Sequence, residues 1–93
     1  MEDDRETKSQ RGVGTIEVTG RLLEVLASAE GAVKLRDLAA LIDVGSSQIH
    51  PYLVSLRKIG LVEQTERGRY RLGPFAFRLG LARLKYQDAY REA

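Results

Sequence analysis

The stretch LRDLAALIDVGSSQIHPYLVSLRKIGLVEQTERGRYRL, residues 35–72, decides the fold. Its first part, Arg36 to Ile42, spaces Leu38, Leu41 and Ile42 for one buried helical stripe. Asp37 falls in the first turn, where a carboxylate suits the positive end of the helix dipole. Asp43-Val44-Gly45 reads as a tight turn, with Asp43 or Gly45 able to take the left-handed conformation and Val44 placed to plug the angle between two helices. Ser46 and Ser47 offer capping hydroxyls. Ile49, Leu53, Leu56 and Ile59 then recur along the buried face of a second helix that runs to about Ile59. The opposite face holds Ser47, Gln48, His50, Pro51, Ser55 and Lys58.

Gly60 ends that helix. Leu61 to Thr65 and Arg69 to Leu72 follow as strands around Glu66-Arg67-Gly68. Tyr70 and Leu72 alternate with Arg69 and Arg71, so one face should pack and the other should be cationic. Helix, turn, helix and basic hairpin in this order predict a winged helix-turn-helix, mainly α with a small β-hairpin. Such an arrangement offers a helix end to the major groove of DNA and a basic loop to the adjoining backbone or minor groove.

Working outward, Leu22, Val25, Leu26 and Ala29 recur at helical spacing, with Thr19 as a possible cap and Gly31 as a stop. They predict a helix over about Thr19 to Glu30. Ala32 to Leu35 can add a short strand to the later hairpin. Gly73-Pro74 is a helix opening with proline at the first position. The helix it opens carries Phe75, Leu79, Ala82 and Tyr86 on one side and Phe77, Leu81 and Leu84 on another. The expected organisation is a disordered leader over 1–14, the winged domain over 15–73 and a linker or dimerisation helix over 74–93.

Ninety-three residues with 43% apolar content close one core and leave nothing for a second or for a deep enzyme cleft. The absence of cysteine removes disulfides, cysteine-based zinc sites and thiol catalysis, and fits a cytoplasmic protein. No apolar run approaches the roughly 18 residues of a membrane span, and the charged start is the opposite of a secretory signal. Net charge is only +2, yet Arg57 to Ala93 holds nine bases against four acids. A basic half of this kind suits a polyanion.

Gln48 can pair with adenine, and His50 can donate to a guanine acceptor or a phosphate; the plain alternative is an exposed polar face with no base partner. His50 is the only histidine and has no cysteine beside it, so metal ligation and general-base chemistry have little to stand on. No spaced carboxylate pair, Gly-rich phosphate loop or nucleophile motif occurs, and neither enzyme activity nor a cofactor is expected.

These residues resemble the N-terminal DNA-binding domain of the isocitrate lyase regulator (IclR) family of bacterial transcription factors. The resemblance is carried by Leu35-Arg36-Asp37-Leu38-Ala39, by Ser47-Gln48-Ile49-His50, and by Leu53-Val54-Ser55-Leu56 leading into Gly60-Leu61-Val62-Glu63. Gly68-Arg69-Tyr70-Arg71-Leu72-Gly73 with the later Leu79-Gly80 is its most specific part. It implies a regulator whose winged domain precedes a larger effector-binding domain. This chain would then be a fragment or a short relative, with no effector pocket of its own. Two positions depart from the family pattern, Arg36 where a hydroxyl residue is frequent and Pro51 where an arginine is frequent. Either the second helix starts late, near Ser47 or Gln48, so that Pro51 lies in or just past its first turn, or the helix is kinked at Pro51.

The resulting expectation is sequence-specific binding of double-stranded DNA by a homodimer on a palindromic operator. Ser46, Ser47, Gln48 and His50 would enter the major groove, Arg36, Ser55 and Lys58 would hold the backbone, and Arg67 with Arg69 would anchor the wing. The alternative is a winged helix that grips a partner protein through the same surfaces.

Overall fold

The computed structural model describes residues 12–92, and the side chains of residues 12–87. Four helices and a two-stranded hairpin follow in the order α1 (Gly14–Ser28), α2 (Leu35–Ile42), α3 (Ser46–Lys58), β1 (Val62–Gln64), β2 (Tyr70–Leu72) and α4 (Pro74–Glu92). This is a winged helix-turn-helix with a trailing helix. Most of the expected leader, Met1 to Arg11, lies outside the described residues.

One core joins all the elements before α4. Leu22 and Leu26 of α1, Leu38, Ala39 and Ile42 of α2, Ile49, Leu53 and Leu56 of α3, Val62 of β1 and Tyr70 of β2 are buried together. Their helical members sit three, four or seven residues apart, with Ala39 beside Leu38, so each helix turns a single stripe inward. Leu22, Leu38, Ile49, Leu53 and Val62 are essentially sealed from solvent.

Helix α1 begins at Gly14, five residues before the expected start. Thr19 is inside the helix and its hydroxyl donates back to the Thr15 carbonyl at 2.8 Å, a local bond available only to a residue that is not a cap. The early turn was invisible to periodicity because Ile16 stands exposed. The helix stops at Ser28, where Ala29 turns extended, so Gly31 follows the end without making it.

The helix-turn-helix corner is set by Asp43, which takes φ 59° and ψ 47°. Its amide and that of Val44 turn back to the carbonyls of Ala40 and Ala39 and satisfy the end of α2. Gly45 is extended instead, and Val44 packs against the core as expected. Leu41 does not. It is 67% exposed and borders an open groove with Val25, Ala29, Val33 and Ile42, while Ala39 takes the buried place.

Ser46 and Ser47 are the first two residues of α3. The residue before the helix, Gly45, has no side-chain cap, so neither serine caps as expected. The helix does not start late either. Pro51 is its sixth residue, in the interior, where the missing N–H leaves the Ser47 carbonyl without its usual partner one turn on. Burial of Ile49 and Leu53 on either side of it carries the helix through. Ile59, expected in the core, is more than half exposed because the helix ends at Lys58 and the chain turns away.

Two glycines make the return. Gly60 has φ 84°, which a Cβ would strain, and the Leu61 amide reaches back to the Leu56 carbonyl. Strands β1 and β2 then pair antiparallel, with Val62 opposite Leu72, Glu63 opposite Arg71 and Gln64 opposite Tyr70. Val33 adds a one-residue bridge, exchanging both backbone bonds with Tyr70 at 2.8 Å, which meets the expectation for Ala32 to Leu35. A Cβ on Gly73 would lie 2.5 Å from the Gly60 carbonyl oxygen. That close approach lets the Phe75 amide bond to Gly60 and the Gly73 amide bond to Leu61, so α4 springs directly from the end of α3.

Candidate nucleic-acid interface

The outward side of α3 follows from the position of its buried stripe. With Ile49, Leu53 and Leu56 inward, a period of 3.6 residues turns Ser47, Pro51 and Lys58 outward, flanked by His50 on one side and by Gln48 and Ser55 on the other. Ser47, Gln48, His50, Ser55 and Lys58 are all exposed, whereas Ser46 is half-buried. None of them makes a side-chain hydrogen bond or ion pair among the described residues. Gln48 and Ile49 both donate their amides to the Gly45 carbonyl. The amides of Ser46 and Ser47 come before the first helical bond and point out of the positive end of the helix. Ser55 and Pro51 also border a cleft against Thr15, Ile16 and Thr19 of α1.

Arg36 is exposed in the first turn of α2. It and the α3 residues come from the two helices on either side of the Asp43 corner.

The wing is built as a braced loop. The Thr65 amide donates to the Arg69 carbonyl at 2.7 Å, and the Arg69 amide donates to the Thr65 hydroxyl at 3.2 Å. Gln64 Nε2 donates to the Gly68 carbonyl and to the Tyr70 hydroxyl, which satisfies a phenol oxygen on a buried ring. Gly68 has φ 82°, the left-handed conformation that lets the loop close. Arg67 is thereby held at the exposed tip and Arg69 half-buried beside it.

Arg67, Arg69 and Arg71 line a concavity of about 400 Å³ with Ala32, Thr65 and Glu66. Of the three guanidiniums, Arg71 is paired with the Glu63 carboxylate directly across the hairpin. The cationic face foreseen from alternation is thus partly neutralised, and among the described residues its unpaired charge lies at Arg67 and Arg69. Thr65 and Gln64, which hold the loop, were not among the expected functional residues. The strand register that would have exposed their role depends on the turn, which alternation alone does not fix.

Among the described residues no helix is long and apolar enough to cross a membrane, and no group of three or more histidine or acidic side chains could hold a metal ion.

A three-helix core with an exposed polar strip on its third helix and an arginine-bearing hairpin defines the winged helix-turn-helix class. The IclR helix-turn-helix domain model matches residues 15–66, more than half the chain, and the chain belongs to that family. This is a family of DNA-binding transcription-regulator domains. Among solved structures, HmgR of Pseudomonas aeruginosa is 35% identical with a TM-score of 0.72, the match covering 78% of this chain and 30% of that one. The repressor BlcR of Agrobacterium tumefaciens (21% identity, TM-score 0.68, 75% and 28% covered) and an IclR homolog from Microbacterium sp. strain HM58-2 (24%, 0.64, 76% and 29%) share the fold. The chain spans under a third of the length of these solved proteins. No curated protein matches it.

Proposed function

We propose that this chain binds double-stranded DNA sequence-specifically as the winged domain, residues 15–73, of a cytoplasmic transcriptional regulator. In this reading the start of α3 enters the major groove, with Ser46 and Ser47 presenting amides and hydroxyls to a phosphate and Gln48 and His50 reading base edges. Arg36, Lys58 and Ser55 hold the backbone, and Arg67 with Arg69 carries the wing onto phosphates or into the minor groove. The observation that carries it is the outward strip of α3, exposed and free of side-chain partners among the described residues, in a domain of this family.

The helix over 74–93 with α1 pairs two copies on a palindromic operator. Phe77, Leu79, Leu81, Leu84 and Tyr86 of α4 and Ile16 of α1 stand largely in solvent, and apolar surface of that extent calls for a cover. Two-fold symmetry would place half-sites about one helical turn apart or at multiples of it.

Salt titration on duplex DNA is the test. Affinity should fall with a log–log slope of about −0.9 per neutralised phosphate. Indifference to every duplex at low salt would refute the proposal and direct attention to a protein partner for the same surface.

A further inference from the structure

Pro51 is the one apolar side chain that the first two turns of α3 present to solvent. Of the residues from Ser46 to Tyr52, Ile49 is sealed in the core and Tyr52 is half-buried, while Ser47, Gln48 and His50, exposed beside Pro51, are polar. The pyrrolidine ring lies one turn beyond Ser47 on the same outward strip, so it meets whatever the start of α3 meets. It also has no amide to donate, and its rigid φ leaves it no freedom to withdraw.

On DNA, the major groove offers such a surface one chemical match. A base edge there is a pattern of donors and acceptors, except at the C5 position of a pyrimidine, which carries a methyl group in thymine and 5-methylcytosine and only a hydrogen in cytosine. A ring of methylenes that can neither donate nor accept leaves a donor or acceptor desolvated and unpaired, but covers a methyl at no such cost.

Resting on the DNA-binding reading above, we infer that Pro51 is a specificity-determining contact to a pyrimidine C5 methyl in the major groove, carried by thymine or by 5-methylcytosine. Gln48 and His50 read hydrogen-bonding positions beside it, and Pro51 reads the one position that has none.

The test starts from duplexes selected by the 93-residue chain out of random pools, one with ordinary bases and one containing 5-methylcytosine. In the selected site each methyl is then removed singly, thymine to deoxyuridine or 5-methylcytosine to cytosine, and the base whose change is felt identifies the source. At one position per half-site, affinity of the wild-type chain should drop about fourfold, the value of one buried methyl-sized group. Pro51→Ser, which replaces the apolar ring by a small hydroxyl, should show no drop there. The variant regains the backbone amide that proline lacks, and circular dichroism with a thermal melt would verify that it folds. The inference is overturned if the methyl scan is flat for the wild-type chain, or if Pro51→Ser keeps the drop. Failure of the wild-type chain to bind any duplex would instead remove the DNA-binding reading itself, and this inference with it.

Discussion

The winged core and helix α4 contain similar side chains and treat them in opposite ways. Leu22, Leu38, Ile49 and Leu53 find every neighbour they need within the chain, whereas Phe77, Leu81 and Leu84 are left from 42% to 69% exposed. Hydrophobicity alone therefore does not say which residues hold this domain together. What separates the regions is pattern. Each core helix concentrates most of its apolar residues on one stripe, with Ile16 and Leu41 as exceptions, and α4 spreads them around its circumference, so that no single face of the small core can cover them.

The largest expected effect lies in the core. Leu53→Ala should cost about 2–5 kcal/mol of stability by urea unfolding, because a fully enclosed side chain leaves a cavity. Leu84→Ala, measured on dilute monomer, should stay within about 0.5 kcal/mol. Equal losses at the two sites would abolish the contrast.

The junction between the regions comes next. Gly73→Ala must push its Cβ away from the Gly60 carbonyl and should cost about 1–3 kcal/mol, read by the same unfolding assay. On the binding surface, Arg67→Ala with Arg69→Ala should weaken binding to all duplexes alike and flatten the salt dependence by about 0.9 for each phosphate no longer neutralised. Gln48→Ala should shift base preference instead, and unchanged binding in both variants would show that the wrong surfaces have been assigned. Replacing Phe77 and Leu84 with serine should lower self-association in sedimentation experiments while leaving monomer stability nearly untouched, which would sharpen the difference between a core and a surface awaiting a cover. The smallest effect belongs to Glu63→Gln. This partly exposed ion pair with Arg71 should be worth no more than about 1 kcal/mol, decreasing with added salt.

The element order and the buried stripes were legible in the sequence because periodicities of 3.6 and 2 are strong signals over the lengths involved. Element ends were not. The first turn of α1 is exposed and carries no stripe, Thr19 suits a cap but bonds backward within the helix, and Ile59 continues the spacing of α3 past the point where the backbone turns away. Pro51 left two readings open, a late start of the helix or a kink in it, and burial of Ile49 and Leu53 decides for a place in the helix interior. Leu41 shows the reverse failure, an apolar residue in the right period facing a groove that the neighbouring elements leave open.

For the candidate interface, the sequence yielded the residue types and their exposure, because an α3 with a known inner face has a known outer one. It did not yield the pairing of Arg71 with Glu63, which follows from hairpin register, nor the bracing of the wing by Gln64 and Thr65.

The two backbone hydrogen bonds that fasten Gly73 and Phe75 to Leu61 and Gly60 act as a mechanical coupling. They contain no side chain whose rotation could absorb a twist, so the direction in which α4 leaves the end of α3 is fixed by the backbone alone.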